Sequence, residues 1–235
     1  MKLIRESVSL LFNGSPLDDK SEIEIGQFLE QCGRICYKSE EKISPESYKK
    51  FLSMIIASGH HSILEHINIS AKIITNRGVT HELVRHRLGA YSQESTRYCN
   101  YSSNRFGNEL TFIVPVWISD EKIESLYKDL VLKYNFAAEV SSDTDPDMVW
   151  FLSVMENENS YVKLLKYGYT PEKAREILPN SLATTIMVTY NLRQWIHVLN
   201  QRLSPQCHPQ MRQLMTLIKS EFLDKLPLFF GIIDE

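Results

Sequence analysis

The sequence lacks the features that would mark a membrane-spanning, secreted or polyanion-binding chain. No apolar stretch reaches the roughly 20 residues that a bilayer-crossing helix needs, and the apolar piece near the end, Leu226 to Ile233, is interrupted by Pro227 and Gly231. The apolar run within Met1 to Phe12 is too short for a signal peptide, and no small-residue cleavage site follows it. Charge of one sign is missing as well. Lys and Arg number 26 against 29 Asp and Glu, so bulk attraction to a polyanion is excluded and an anion site has to be a local concentration of basic residues. Cysteine is sparse and scattered (Cys32, Cys36, Cys99, Cys207). Cys32 and Cys36 are spaced for one helical face rather than a zinc knuckle, and no second pair matches them. Reduced thiols in a cytoplasmic protein, with no metal, are the expectation. No glycine-rich turn follows a strand, which argues against a doubly wound dinucleotide sheet. Repeats and low-complexity segments are absent.

What is present is an ordinary globular composition, 43% hydrophobic and 23% charged, over a length that supports one domain spanning 1–235 with a real core. Ile23, Ile25, Phe28, Leu29 and Cys32 follow helical spacing. Ser44-Pro45-Glu46 predicts a helix start, capped by Ser44, with the helix ending near Ser58-Gly59. His60 to His66 reads as a polar connection. Alternation through Ile67, Ile69, Ala71 and Ile73 predicts a half-buried strand over 67–74. After a turn at Asn76-Arg77-Gly78, a helix is expected over Val79 to Leu88, then a loop over 89–110. A strand kinked at Pro115 is expected over Leu110 to Ile118. Helices are predicted over Asp120 to Val140 and Met148 to Leu165, with a loop at Ser141 to Pro146 between them, and a short helix runs from Thr170-Pro171 to Pro179. Leu182 to Tyr190 reads as a strand. Asn191 caps a helix to about Leu203, and Ser204-Pro205 opens a last long helix to about Leu223. The irregular mixture predicts an α+β fold, a single mixed domain with an antiparallel sheet flanked by helices and a helical subdomain.

Chemistry concentrates after the first predicted strand. Arg85, His86, Arg87 and Arg97 fall within thirteen residues. Arginine pairs bidentately with phosphate or carboxylate, and Ser92, Gln93, Ser95 and Thr96 supply groups that orient a polar ligand. On a helix, Arg85 and Arg87 would stand about 200° apart and serve different ligands. A solvated basic face with weak surface ion pairs is the plainer reading of this spacing. Two metal patterns fail on inspection. His81-Glu82-Leu83-Val84-Arg85-His86 puts its histidines five apart, whereas the zinc-protease helix needs four. His60, His61 and His66 lack carboxylate or thiolate partners at metal-ligand spacing. Further along, Arg193, His197 and Asn200 share one face of the helix after Asn191, opposite Leu192, Trp195, Ile196 and Leu199.

Arg85-His86-Arg87 followed by seven residues and Ser95 resembles the signature of the flavin-dependent thymidylate synthases. Tyr91, Gln93, Arg97 and Tyr98 extend the resemblance. Upstream, His60-x-Ser62-x-x-Glu65-His66 is similar to that family's flavin-site segment. Downstream, Ala174-Arg175-x-x-Leu178-Pro179, Asn191-x-Arg193 and Arg202 follow in the family's order, so that the resemblance covers about residues 30–215. It implies a dUMP site of Glu82, Arg85, Gln93, Ser95, Thr96, Arg97, Arg175 and Arg202. Arg97 and Arg175 are implied at the phosphate, with the Ser95 and Thr96 backbone N–H groups beside them, and Arg202 at the uracil ring as the catalytic cation. It implies an FAD site of Ser62, Arg85, His86, Arg87, Gln93, Asn191, Arg193 and His197, with His60 and Glu65 nearby. The chain departs from the family at Glu82, where Gln occurs; at His197, where Asn occurs; and at Pro205 to Pro209, where His208 replaces an expected Gln.

The implied reaction is reductive methylation of dUMP to dTMP. 5,10-Methylenetetrahydrofolate gives the carbon, NADPH-reduced FAD gives the hydride that no side chain can store, and no enzyme nucleophile is involved. The resemblance also implies a homotetramer whose sites borrow residues from several subunits. A nucleic-acid-binding module using the arginines with Tyr91, Tyr98 and Tyr101 is disfavoured by the net charge of -3. A non-catalytic nucleotide- or flavin-binding protein of the same fold is the remaining alternative.

Overall fold

A computed structural model describes residues 1–101, 103, 107–133 and 144–231. Its strands are β1 (Lys2–Ile4), β2 (Ser7–Phe12), β3 (Ser15–Pro16), β4 (Asn68–Asn76), β5 (Ala90–Gln93), β6 (Thr111–Ile113) and β7 (Ala183–Asn191). Its helices are α1 (Asp19–Tyr37), α2 (Ser47–Ala57), α3 (Arg77–Leu83), α4 (Asp120–Lys133), α5 (Pro146–Lys166), α6 (Pro171–Ala174), α7 (Leu192–Arg202), α8 (Pro209–Lys225) and α9 (Pro227–Phe230). The mixed α+β class matches the expectation. The chain divides into two compact units: a first of Met1–Glu6, Thr75–Glu82 and Gln93–Thr184, and a second of Ser7–Ile74, Leu83–Ser92 and Thr185–Glu235.

In the first unit β1 pairs in parallel with β6, Lys2 opposite Thr111 and Ile4 opposite Ile113. The predicted strand over Leu110 to Ile118 is thus only three residues long. Pro115 has no N–H to donate to a ladder, and Arg5 takes over the carbonyls beyond it, donating to Pro115 O (3.1 Å) and Ile118 O (2.6 Å). Leu110, Phe112, Val154, Tyr161 and Leu182 form the main apolar cluster, and Leu126, Met148 and Phe151 a second. The helix expected over Met148 to Leu165 begins two residues earlier, with Pro146 at its first position and the Asp145 carboxylate accepting from Asp147 N at 2.9 Å. The helix from Asp120 is described to Lys133. The remainder of that expectation, residues 134–140, lies outside the described residues, as do 141–143 of the predicted loop and 102 and 104–106 of the expected 89–110 loop.

The second unit holds a five-stranded sheet in the order β3-β2-β4-β7-β5. β2 runs antiparallel to β4, Ser7 opposite Ile74 and Leu11 opposite Ser70, and turns back into β3 through Asn13-Gly14. Both turn residues have positive φ (50° and 82°), the conformation an Asn-Gly hairpin loop requires. β4 alternates buried and more exposed positions as predicted, with Ile69, Ala71 and Ile73 fully buried. α8 lies against β2, α1 against α2, and α7 against the 3-10 turn His61–His66, a segment expected to be a simple connection. The core carries an aromatic series, Tyr190, Trp195, Phe222 and Phe230, with successive ring centroids 4.7, 5.4 and 4.0 Å apart. Trp195 Nε1 donates to Ile69 O at 3.0 Å, which satisfies its one buried polar atom.

Further helix boundaries differ from expectation, among them those of α2, α8 and α3. α2 starts at Ser47 rather than directly after Ser44; the Ser47 hydroxyl accepts from Ser44 N (2.8 Å) and donates to buried Glu30 (2.7 Å). α8 starts at Pro209 rather than after Ser204. Both prolines suit a first helical position, but the His208 ring caps the second one, its Nδ1 accepting from Gln210 N at 3.2 Å. α3 stops at Leu83, short of Leu88. The Tyr91 hydroxyl donates to the carbonyls of Leu83 and His86, and the chain then passes so near Tyr190 that a Cβ on Gly89 would lie 2.1 Å from its ring.

Candidate active site

Two strand-to-helix steps carry most of the singled-out residues, and an asparagine builds each. At the end of β4, Asn76 Oδ1 accepts from Val79 N at 2.8 Å; at the end of β7, Asn191 Oδ1 accepts from Gln194 N at 2.8 Å. The second cap is the one predicted. It also restricts Asn191 as a ligand group, because its oxygen is committed to the helix and its NH2 group is what it can offer.

In the second unit, Arg85, His86 and Arg87 occupy the turn after α3 and not a helix, so the expected helical separation of the two arginines does not apply. The segment instead buries its middle residue. His86 is 8% exposed, while Arg85 and Arg87 are exposed, and neither has a carboxylate partner among the described residues. Arg202, in the last turn of α7, donates from Nε to His86 Nε2 at 2.9 Å. An arginine has no acceptor, so His86 Nε2 must carry the lone pair and the ring is neutral with its proton on Nδ1. Burial, then the Arg202 cation, then His197 push the His86 pKa from near 6.5 down to about 4. The structure thus joins Arg202 directly to the motif histidine, a pairing the sequence did not disclose.

Around them the same unit sets further candidates. α7 presents Arg193, His197 and Asn200 to solvent and buries Leu192, Trp195 and Leu199, as its pattern predicts. Arg193 Nη1 meets Glu65 Oε1 at 2.6 Å; both side chains are about half exposed, so the pair is weak and displaceable. His60 Nδ1 lies 3.3 Å from the Tyr37 hydroxyl, and Ser62 is exposed. His61 is turned away by a 3.2 Å bond to Ile56 O. Tyr91 and Tyr190 share a 2.6 Å hydroxyl contact, and burial raises both pKa values. Tyr190 carries no sequence signal of its own, since a buried aromatic at the end of a strand looks like core.

The first unit gathers a second group. Gln93, the last residue of β5, donates from Nε2 to Thr80 Oγ1 (2.9 Å) and Thr184 Oγ1 (3.3 Å). The turn after it places Ser95 Oγ against Arg97 N (3.3 Å). Among the described residues the Ser95 and Thr96 N–H groups have no acceptor, as an anion pocket requires. Arg175 Nη1 reaches Thr96 Oγ1 at 3.5 Å, and Arg97 Nε pairs with Glu172 at 2.9 Å beside the start of α6. Thr96, Arg97 and Arg175 are therefore brought together, and the arginines' carboxylate partners, Glu172 and Glu176, are more than half exposed and open to exchange for a ligand anion. Glu82 is half-buried on α3. Both groups are rich in donors, and in the second unit the exposed cations and the Asn191 NH2 suit a ligand with anionic, acceptor-rich edges.

Residues 24–228 match the family described as thymidylate synthase complementing protein. A flavin-dependent thymidylate synthase of Mycobacteroides abscessus is 28% identical over 214 residues, 88% of this chain and 78% of that protein. One from Corynebacterium aurimucosum is 30% identical over 216 residues (90% and 81%), and one from Pyrococcus abyssi 33% identical over 178 residues (75% and 63%). In three dimensions the chain is similar to a UMP/dUMP methylase, PolB from Streptomyces cacaoi, solved bound with 5-Br dUMP. The TM-score is 0.68 at 17% identity, covering 100% of this chain and 97% of that one, a likeness that speaks for the fold. By the extent of these matches, the chain belongs to the family of the flavin-dependent thymidylate synthases.

Proposed function

We propose that the chain is a thymidylate synthase that converts dUMP to dTMP with bound FAD, 5,10-methylenetetrahydrofolate as carbon donor and NADPH as reductant. The observation that carries this reading is the Arg202–His86 pair, a cation held by a neutral, buried histidine inside the family's signature segment. FAD, when bound, supplies the hydride that the carbon transfer needs.

The chain's own residues bind, orient and place charge. Arg97 and Arg175, with the Ser95 and Thr96 N–H groups, hold the nucleotide phosphate. Glu82 faces the base or sugar, since a carboxylate beside the phosphate would repel it. Gln93 and Arg85 serve both dUMP and the flavin. Arg202 stabilises negative charge on the uracil ring at N3, and its anchoring by His86 removes the reorganisation that a free arginine would need. His86 therefore acts through Arg202 as well as lining the flavin. Arg87, Arg193, His197, Ser62 and the Asn191 NH2 group hold FAD, with His60 and Glu65 nearby. No cysteine is assigned a role. Residues 1–235 work as one catalytic domain, in a cytoplasmic homotetramer whose sites draw on several subunits.

Arg202→Ala tests this. It abolishes dTMP formation while FAD still binds with near-wild-type affinity. Normal turnover in that variant overturns the assignment.

A further inference from the structure

Gln93 is held in a way that goes beyond its assignment as a ligand residue. Its carboxamide lies against two threonine hydroxyls, Thr80 Oγ1 at 2.9 Å and Thr184 Oγ1 at 3.3 Å. Thr80 is 0% exposed and Thr184 2%, so water cannot replace either contact. The proton inventory fixes which end of the amide faces them. The Thr80 hydroxyl donates to Arg77 O at 3.0 Å, and a carbonyl oxygen can only accept, so the single Thr80 proton is already used. Thr80 Oγ1 is left as an acceptor, and the group facing it must be the Gln93 NH2. Thr184 Oγ1 completes the arrangement by also accepting from Arg77 Nη1 at 3.4 Å. Both N–H bonds of Gln93 are therefore directed to protein. Its Oε1 has no protein partner among the described residues.

We infer that Thr80 and Thr184 are positioning residues that lock Gln93 as a one-way acceptor, so that this position selects ligands presenting a polarised N–H or O–H donor and rejects those presenting an acceptor. A freely rotating glutamine would accommodate either. A locked one discriminates, because an acceptor brought against Oε1 leaves two lone-pair groups facing each other with no proton between them. The inference deepens the proposed function and rests on it for the ligands. A sugar hydroxyl of dUMP and the imide N–H of the flavin share this chemistry, and separate titrations tell them apart.

The test is a double-mutant cycle on binding. The affinities of dUMP and of FAD are measured for the full-length wild type, Thr184→Val, Gln93→Met and the double variant. Thr184→Val weakens one of the two ligands by about tenfold, the size expected for a misdirected hydrogen bond. Thr184→Ser, which restores the hydroxyl, recovers the affinity. In the Gln93→Met background, Thr184→Val has no further effect, because the group through which it acts is gone. If Thr184→Val weakens binding equally with and without Gln93, or if it leaves both affinities at the wild-type level, the inference is overturned. Thr80→Val supplies the same cycle from α3 should Thr184→Val not fold. A wild type that binds neither ligand contradicts instead the assignment of dUMP and FAD on which the inference rests.

Discussion

His86 concentrates the chemistry of the site in one residue. Its Nε2 accepts from Arg202, and its pKa is depressed from near 6.5 to about 4. A group whose folded-state pKa lies below its unfolded value takes up fewer protons when folded, so it costs stability as the pH falls from about 6.5 towards about 4 and adds no further loss below that. Above pH 6.5 both states hold the ring neutral and the penalty vanishes. His86→Gln places a non-titrating amide at the same position. Thermal melts are expected to show a shallower fall of Tm between pH 6.5 and 4 in His86→Gln than in the wild type. An unchanged slope would mean that other groups control acid stability. Arg85 and Arg87, exposed on either side of this residue, are readable as proposed ligand groups from their order in the motif. Thr80, Thr184 and Tyr190 are not, because a buried hydroxyl in a strand or helix carries the same sequence signal whether it supports a ligand residue or fills the core.

At the scale of elements, the two Asn-capped steps from strand to helix set where the proposed ligand groups stand. Asn191 combines a structural oxygen with an NH2 group that has no partner among the described residues, and two substitutions separate these roles. Asn191→Ala removes the cap from α7 and destabilises the fold by about 1 kcal/mol. Asn191→Asp keeps an equivalent cap and a near-wild-type Tm, yet weakens FAD binding, because a carboxylate has no donor to offer. Equal FAD affinity in Asn191→Asp would remove this residue from the flavin site. The pairing of α1 with α2 depends on Gly26, where a Cβ would lie 2.3 Å from Tyr48 Cδ2. Tyr48 is 1% exposed and has no solvent-filled space to swing into. Gly26→Ala gains about 1 kcal/mol of helix propensity but incurs overpacking of about 1–3 kcal/mol, so denaturant titration is expected to show a net loss of stability.

Across the whole molecule, the segments with strong periodicity are legible in the sequence: β4, β7, α5 and α7 fall within a residue or two of their predicted bounds. Their signals are local, in alternation or helical spacing closed by Asn191 or by Asp145-Pro146. The N-terminal strands are a different case. β1 is too short to show a period and exists because it pairs with β6, more than a hundred residues away, while β2 depends on β4. The Asn13-Gly14 pair was the available signal for the β2–β3 hairpin. The early end of α3 follows from Tyr91 and Tyr190, contacts that local propensity does not encode. The candidate site shows the same division. Its proposed ligand groups follow from motif order, and the pairs that hold them, Arg202 with His86 and Gln93 with Thr80 and Thr184, emerge only from the fold.

The proposed activity is the making of dTMP through a bound flavin. The most direct measurement is the visible absorbance spectrum of the purified protein, followed anaerobically on addition of NADPH and then of dUMP with 5,10-methylenetetrahydrofolate. The expected result is a yellow protein with the oxidised-FAD spectrum, bleached by NADPH, whose colour returns as dTMP forms. A colourless protein that takes up no FAD on reconstitution, or a flavin that NADPH reduces but that yields no dTMP, would contradict it.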